Sequence, residues 1–366
     1  MRTVIALLAV VATTAVMHPG DAVAGTRPLR AFTDGSFWNT PLPTNAPVHP
    51  QSADIIEFLK HDNSNAGCFL LMGADTDRWG EPIFWAEPGD TEYAVVRTRY
   101  YLPPEFDRLR IPSHARAGDN SDQQLVIYDL DRGIVSWLWK ATYDATNDVW
   151  SAGGGSVAYL DSNGLHAKLP GADEPRNTGS NRGLNGAITA VRHDQVQAGA
   201  IDHVVKIGLN SVRDEHLFPM IGSDGKSTHP HAPPQGARLR IKPSVDLSTF
   251  DLHPQARPIA TALQRYGVIV GDSTGAPIAL KLEDTVTAGR GQLWQLSKQA
   301  LCSIPIEAFE VIDYGYVPPA AARRLDDTES DACERSATAS LLATDVQKGS
   351  DGPDAACLPP AVVSWR

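Results

Sequence analysis

Cysteine, basic residues and long apolar runs are all scarce in this sequence. Its 366 residues include four cysteines, none of them in a Cys-x-x-Cys pair, so zinc-ribbon and thioredoxin-like sites lack their ligands. The 32 Lys and Arg are outnumbered by 43 Asp and Glu, which gives a net charge of −11. Such a chain lacks the clustered cations of sequence-independent nucleic-acid binding. It also repels polyanionic glycans unless its groove is locally basic, which favours neutral substrates.

Two common catalytic motifs are missing. The sequence contains no His-Glu-x-x-His and no Gly-x-x-x-x-Gly-Lys, so zinc-protease and P-loop functions have no support. His229 and His231 are weak metal candidates, because residues two apart on an extended segment point to the same side. Pro230 between them favours an exposed loop, and no third ligand is identifiable. We expect no metal and no cofactor.

A signal peptide is predicted at the N-terminus. Arg2 precedes an apolar run from Val4 to Met17, and Ala22-Val-Ala24 offers a small-x-small cleavage site. The run is shorter than the roughly 20 residues that span a bilayer, although an uncleaved anchor is the alternative. No later segment is apolar enough to cross a membrane. Residues 1–24 are therefore predicted to be removed and the protein to be secreted.

In an oxidising compartment four cysteines suggest two disulfides, and three pairings are possible. We favour Cys333–Cys357, which closes a short loop, and Cys68–Cys302, which ties distant parts of the core together. The short loop alone is worth roughly 3 kcal/mol if disulfides act on chain entropy.

Strand patterns dominate the chain. Residues 124–130 and 134–143 each have the composition of a strand, and the turn at Gly133 between them predicts a β-hairpin. Further strands are predicted at 92–100, 203–209, 236–242, 268–270, 278–281 and 309–313, with 268–270 paired to 278–281. Helices are predicted at 52–60, 192–199, 254–266 and 291–300. The expected fold is mainly β, with a sandwich or barrel-like core and three or four short helices. A single domain is predicted over 25–317, with a low-complexity tail over 318–366.

Five strings, in order, carry a family resemblance. They are Ser36-Phe-Trp-Asn-Thr-Pro41, Ile111-Pro112 with Ser121-Asp122, Gly199-Ala-Ile-Asp-His203, Pro233-Pro-Gln-Gly-Ala-Arg-Leu-Arg-Ile241 and Tyr266-Gly-Val-Ile-Val-Gly-Asp272. Over roughly 33–315 the chain resembles a family of secreted proteins common in actinobacteria and other soil bacteria. Members usually read Ser-Asp-Gly-His where this chain has Ser121-Asp-Gln-Gln124, so that His is missing here. The resemblance implies export and one large domain, and it assigns no chemistry.

Asp122 and Asp272 are the candidate catalytic carboxylates. Both sit at the edge of predicted strands, next to turn residues. A glycosidase needs one carboxyl group to protonate the leaving oxygen and another to activate water or attack. Asp at strand ends is also an ordinary turn residue. His203 is a candidate assisting base after Asp202, although adjacent strand residues face opposite sides and a core role for His203 is favoured.

Trp137 and Trp139 lie on one face of their predicted strand, where they either stack on sugar rings or pack in the core. Arg182 and Asn185, in the glycine-rich segment 177–186, are candidate hydrogen-bond donors to a polar ligand. That segment lacks the strand-to-helix context of a phosphate-binding loop.

These features predict a secreted glycoside hydrolase that acts on a polysaccharide or oligosaccharide. A non-catalytic glycan-binding or envelope-associated protein is the alternative, and a polysaccharide lyase is the variant within the enzyme class. We expect a monomer that binds no nucleic acid and does not span a membrane.

Overall fold

The computed structural model describes residues 28–62, 68–74, 80–275 and 278–321. The predicted signal peptide (1–24), the Cys333–Cys357 pair and all of the predicted tail after Ala321 lie outside the described residues. Ala321 itself is buried against the core.

The predicted mainly β architecture is confirmed. Within the described residues eighteen strands form two larger sheets and three small ones. In chain order the strands are β1 (Leu71–Gly73), β2 (Ile83–Ala86), β3 (Glu92–Tyr93), β4 (Val96–Arg97), β5 (Leu109–Arg110), β6 (Leu125–Asp129), β7 (Ile134–Trp139), β8 (Thr142–Asp144), β9 (Val149–Ala152), β10 (Gly154–Tyr159), β11 (Thr178–Gly179), β12 (Val205–Leu209), β13 (Arg213–His216), β14 (Pro234–Gln235), β15 (Arg238–Ile241), β16 (Val268–Ser273), β17 (Ala279–Lys281) and β18 (Phe309–Val311).

The larger sheets pack in a sandwich-like arrangement. One has the order β1-β17-β12-β16-β15-β18 and the other the order β11-β10-β7-β6-β2. The predicted hairpin is the antiparallel pair β6–β7, with Gly133 at a φ of 64° in its turn, a conformation that glycine adopts without steric cost. Val135, Trp137 and Ile269 belong to one buried cluster that joins the two sheets.

Three α-helices accompany these sheets in the described part: α1 (Ser52–Asp62), α2 (His193–Gln197) and α3 (Ala256–Arg265). Leu59 of α1 and Leu263 of α3 are fully buried in the cluster that covers the outer face of the six-stranded sheet. Gly267, at a φ of 74°, follows the end of α3, as expected for a helix stop.

The helix predicted over 291–300 is wrong. Those residues form an irregular segment that ends in a turn, because side chains satisfy backbone groups that a helix would have paired. Gln255 accepts a hydrogen bond from Gln295 N and donates one to Leu293 O. The Trp294 indole donates to Glu283 O at 2.7 Å and is buried. Tertiary contacts thus override the local pattern.

Two strand predictions need correction. Residues 268–270 and 278–281 do not pair with each other, because β12 lies between β16 and β17 and pairs with both. Apolar strands buried on both faces carry no sequence signal for which neighbour they take. The single strand predicted over 92–100 is two short strands, β3 and β4, in different small sheets.

The predicted disulfide Cys68–Cys302 is confirmed, and it joins residues 234 apart in sequence. It ties the segment before β1 to the turns that follow Trp294. No helix in the described ranges is long and apolar enough to cross a membrane.

Candidate functional site

A cleft of about 540 Å³ lies where the two larger sheets meet. Strand β7 of one sheet and strands β12, β16 and β17 of the other contribute side chains, and β10 contributes the backbone of Gly154. Most of the lining is polar or charged: Glu81, Arg99, Asn120, Ser121, Asp122, Gln124, Ser180, Asn181, Arg182, Thr189, Lys206, Asp224, Asp272, Ser273, Thr274 and Lys281. The aromatic part consists of Tyr100, Trp137 and Trp139. Asp122, Asp272, Arg182 and both predicted tryptophans therefore meet in one place.

Asp272 is the most strongly charge-paired carboxylate of the cleft. Asp272 lies near the end of β16, and a register shift between Ile207 and Gly208 places it opposite Gly208 of β12. Lys206 Nζ lies 3.2 Å from Asp272 Oδ2, and Arg182 Nη2 lies 3.1 Å from Oδ1. Burial alone raises the pKa of Asp272, but Lys206, Arg182 and Lys281 outweigh it and hold that pKa well below the usual range. These three cations thus favour the ionised form of Asp272.

Asp224 is a neighbouring carboxyl group with the opposite shift. Arg182 Nη2 also lies 3.5 Å from Asp224 Oδ2, so one guanidinium nitrogen bridges Asp224 and Asp272. Burial raises the pKa of Asp224; Arg182 works against this, and the charge of Asp272 adds to it. The carboxyl group is fixed by Gln235 Nε2, which donates at 2.6 Å, and by Ser273 N at 3.1 Å.

Sequence reasoning missed Asp224. The one feature of the sequence that could have indicated it is its position in the long irregular segment 210–235, beside Gly225. Loops of this length in a compact domain are often functional. The short parallel strands β13 and β14 fold this segment back against the main sheet.

Arg182 reaches both carboxyl groups because of its backbone. It has a φ of 53° and is followed by Gly183 at 97°, a left-handed turn that is uncommon for a non-glycine residue. Arg182 Nη2 additionally donates to Gly271 O at 3.3 Å. Its Nε is buried and has no hydrogen-bond partner among the described residues.

Asp122 lies on another part of the wall, beside the aromatic residues. The Trp139 indole donates to Asp122 Oδ1 at 3.1 Å, and Lys281 Nζ lies 3.9 Å from Oδ2. The Asp122 amide donates to Asn120 Oδ1 at 2.9 Å, which fixes the turn before the hairpin. The Asp122 side chain remains 43% exposed, so it is open to a ligand.

Two lysines of the cleft were also not predicted from the sequence. Lys206 and Lys281 sit in the apolar strands β12 and β17, and a lysine in such a strand is itself a signal, since buried charges need partners. Lys281 Nζ lies 3.3 Å from Glu81 Oε1 and donates to Gln124 Oε1. Glu81 is fully buried and accepts a hydrogen bond from Thr189 Oγ1 at 2.6 Å.

The aromatic wall combines a buried and an open part. Trp137 is 7% exposed and packs in the core between the sheets, yet its indole nitrogen has no acceptor within the described ranges. Trp139 is half-buried, and its ring lies 5.9 Å from that of the exposed Tyr100. The two tryptophans thus differ. Trp137 packs in the core, whereas Trp139 and Tyr100 lie at the open side of the cleft.

His203 and Asn185 do not line the cleft. His203 is buried beside α2, where its Nδ1 donates to Val204 O at 2.7 Å and its Nε2 accepts from Gln195 Nε2 at 2.8 Å. Burial lowers the pKa of His203 to about 4, so the imidazole stays neutral and its partners are structural. Asn185 is also buried, and its Oδ1 accepts from Ala187 N.

His229 and His231 lie in the loop before β14, with ring centroids 5.7 Å apart. The Phe58 ring stacks on His229 at 4.4 Å. In the part of the chain that the structure describes, no three His, Cys, Asp or Glu residues are grouped as a metal site requires.

The segment Gly271-Asp-Ser-Thr-Gly275 has the Gly-x-Ser-x-Gly spacing of a nucleophile elbow, and Ser273 lines the cleft. Such an elbow places its serine between a strand and a helix, next to a histidine base. Here β16 is followed by β17, and no histidine of the described residues lines the cleft. Ser273 therefore lacks the environment of a serine hydrolase.

Comparison of the chain with protein-family models, curated proteins and solved structures finds no match in any of the three. The family resemblance of the sequence stays a prediction, and function has to be argued from the cleft.

Proposed function

We propose that this protein is an exported glycan-active enzyme, a glycoside hydrolase whose active site is the cleft between the two larger sheets. The observation that carries the proposal is a pair of neighbouring carboxyl groups with opposite pKa shifts. Asp272 is held ionised by cations and Asp224 is biased toward its protonated form. Pairs of titratable groups whose pKa values are pushed apart are the usual arrangement of an acid and its partner carboxylate.

In this proposal Asp272 acts on the anomeric carbon, as the nucleophile or as the charge that stabilises an oxocarbenium-like transition state. A protonated carboxyl group donates its proton to the glycosidic oxygen as the C–O bond breaks. Water then supplies the hydroxyl group of the new reducing end, and its remaining proton returns to the carboxylate that acted as the acid. Asp224 and Asp122 are the two candidate donors. Asp224 has the raised pKa, whereas Asp122 is the more open to substrate.

The aromatic wall supplies the second requirement of a glycan site. Tyr100 and Trp139 present ring faces beside Asp122. Flat apolar faces next to hydrogen-bonding groups suit a sugar, which has both apolar C–H faces and polar edges.

A binding protein without catalysis is the second candidate, favoured by a specific observation. The indole nitrogen of Trp137, the amide nitrogen of Asn181 and Nε of Arg182 are all donors without partners among the described residues. Such donors bind sugar oxygens whether or not a bond is broken. A lyase is the variant within the enzyme class, with Arg182 neutralising a uronate and Tyr100 as a base.

Export is part of the proposal. It is supported by the predicted signal peptide and by the disulfide Cys68–Cys302, because disulfides persist mainly in oxidising compartments.

The test is to incubate the chain from residue 25 onward with neutral and acidic polysaccharides. New reducing ends and unsaturated-uronate absorbance are both followed. Reducing ends without absorbance support hydrolysis, absorbance supports a lyase, and retention on an insoluble glycan without either product supports binding alone.

Four variants then assign the roles. We expect Asp272→Asn to reduce turnover at least 100-fold, in line with the loss of a catalytic carboxylate. The larger loss between Asp224→Asn and Asp122→Asn identifies the proton donor. Asp251→Asn, on the exposed surface outside the cleft, is the matched control. Unchanged turnover in Asp272→Asn refutes the assignment.

A further inference from the structure

The cleft contains a cation, Arg99, that no carboxylate of the described residues neutralises. Arg182, Lys206 and Lys281 are each paired with carboxylates of the cleft. Arg99 also lines the cleft, yet it makes no ion pair with any residue of the described ranges. Its charge is therefore available to something that enters from outside.

Arg99 is held in place from both sides. Thr98 N donates to Ala152 O at 2.9 Å and Tyr100 N donates to Gly153 O at 2.7 Å, so the backbone is tied to β9 and the turn after it. The guanidinium lies 4.7 Å from the centre of the Tyr100 ring and 5.7 Å from that of Trp139. An arginine stacked on aromatic faces keeps its planar fork of N–H groups free for a carboxylate.

The inner wall shows a matching surplus of donors. Trp137 and Asn181 are 7% and 5% exposed, and Trp137 Nε1 and Asn181 Nδ2 have no acceptor in the described part of the chain. Arg182 Nε is a third such donor. Among the buried side-chain atoms that line the cleft in the described ranges, Glu81 Oε1 is an acceptor without a hydrogen bond, and it already faces Lys281 Nζ at 3.3 Å. Buried donors of this kind call for a ligand rich in acceptors, and an ionised carboxylate only accepts.

We propose that the cleft selects acidic sugars and that Arg99 binds the carboxylate of a uronic-acid residue, with Trp139 and Tyr100 beside its ring. This inference names the substrate class of the proposed active site. It rests on the proposed function only in that the bound glycan is then cleaved. It also reverses the expectation of neutral substrates that the net charge of −11 favoured. The reason is that a bound ligand interacts with the charge of Arg99 in the cleft and not with the net charge of the whole protein.

The test is calorimetric binding of tetrasaccharides of galacturonate, glucuronate and mannuronate, each beside its methyl ester. The ester keeps the sugar and removes the charge. We expect at least one acid to bind about tenfold more tightly than its ester, since hydrogen bonds to charged groups are the stronger ones. Arg99→Gln should bring that acid to the affinity of the ester. Arg97→Gln, an exposed arginine on β4 outside the cleft, should leave the difference unchanged.

Equal binding of acid and ester in all three pairs overturns the inference, and so does an acid preference that survives in Arg99→Gln. Because binding affinity and new reducing ends are measured in separate experiments, the two proposals fail separately. Hydrolysis of neutral glycans without acid preference removes this inference and leaves the hydrolase. Tight, Arg99-dependent binding without new reducing ends supports this inference and removes the hydrolase.

Discussion

At the scale of single residues, the cleft is organised around charges that are buried only because they have partners. Lys206 is 5% exposed and would be costly to bury without Asp272 at 3.2 Å. Arg182 adds a second cation to the same carboxylate. We therefore expect removal of Asp272 to lower stability as well as the proposed turnover, and the loss of stability should depend on pH.

We expect Asp272→Asn to lower the free energy of unfolding by about 1–3 kcal/mol at pH 7, because Lys206 loses its counter-charge. The pKa of Asp272 is depressed in the folded state. Its stabilising effect is thus complete above the unfolded pKa of about 3.9 and declines as the pH falls below that value. Urea unfolding between pH 7 and pH 3 should show the gap between wild type and variant narrowing. A gap that does not change with pH contradicts this assignment. Asp122→Asn, at a more exposed carboxylate, should cost less than about 1 kcal/mol.

A second prediction concerns His203, whose pKa is lowered to about 4 by burial. A histidine kept neutral in the folded state stabilises fully above its unfolded pKa of about 6.5 and loses this effect as the pH falls toward 4. Between pH 7 and pH 5 we expect wild type to lose about 2 kcal/mol more stability than His203→Asn. Chemical denaturation at the two pH values measures this difference. An imidazole that titrates near pH 6.5 in NMR spectra of the folded protein would be inconsistent with it.

At the scale of elements, the position of Trp139 depends on the glycines that follow β9. A Cβ atom on Gly153 would lie 2.9 Å from Cε3 of Trp139, and one on Gly154 would lie 2.7 Å from Ser180 Oγ. Strand β10 therefore approaches the cleft with no side chain at the points where β7 and the loop before Arg182 come closest. The aromatic wall requires this close approach.

We expect Gly153→Ala to displace the Trp139 indole, because the ring and not a flexible chain end occupies the space. The cost should be about 1–3 kcal/mol of stability, as for other overpacked sites. Ligand affinity should fall at least as much as in Trp139→Ala, and tryptophan fluorescence should change. Gly89→Ala is the matched control, since nothing lies within 4 Å of its added Cβ. Equal behaviour of the two glycine variants would show that Trp139 does not depend on Gly153.

At the scale of the whole molecule, the disulfide Cys68–Cys302 is the longest-range covalent constraint of the described residues, with a separation of 234. A cross-link of this span removes many conformations from the unfolded chain. It also joins the edge strand β1 to the turns around Trp294, which lie against α3 through Gln255.

The double variant Cys68→Ala with Cys302→Ala should lose about 3–5 kcal/mol of unfolding free energy. Reductant should lower the unfolding free energy of wild type, measured by urea denaturation, by a comparable amount. In the double variant, reductant can act only on Cys333 and Cys357. The effect of reductant on this variant is therefore the control for its effect on wild type. If the double variant and wild type unfold at the same urea concentration, the cross-link does not stabilise the fold.

The sequence predicted those parts of the molecule that depend on local pattern. Two strand patterns around a turn glycine predicted the hairpin β6–β7, and proline and glycine bounded α3. The mainly β class followed from the number of strand patterns. Asp122, Asp272 and Arg182 were singled out because strand ends and polar loops are where functional side chains gather. Trp137 and Trp139 shared a face by the period of two along a strand.

Only the tertiary structure decided which of these residues meet. The insertion of β12 between β16 and β17 brings Lys206 beside Asp272, and no local pattern encodes that order. Asp224 reaches the same arginine from a segment with almost no periodicity, and Arg99 acquires its place by lying over two rings. His203 shows the reverse case, since burial and Gln195 give it a structural role. Long-range pairing and burial set these contacts and charges, and both arise only when the chain has folded.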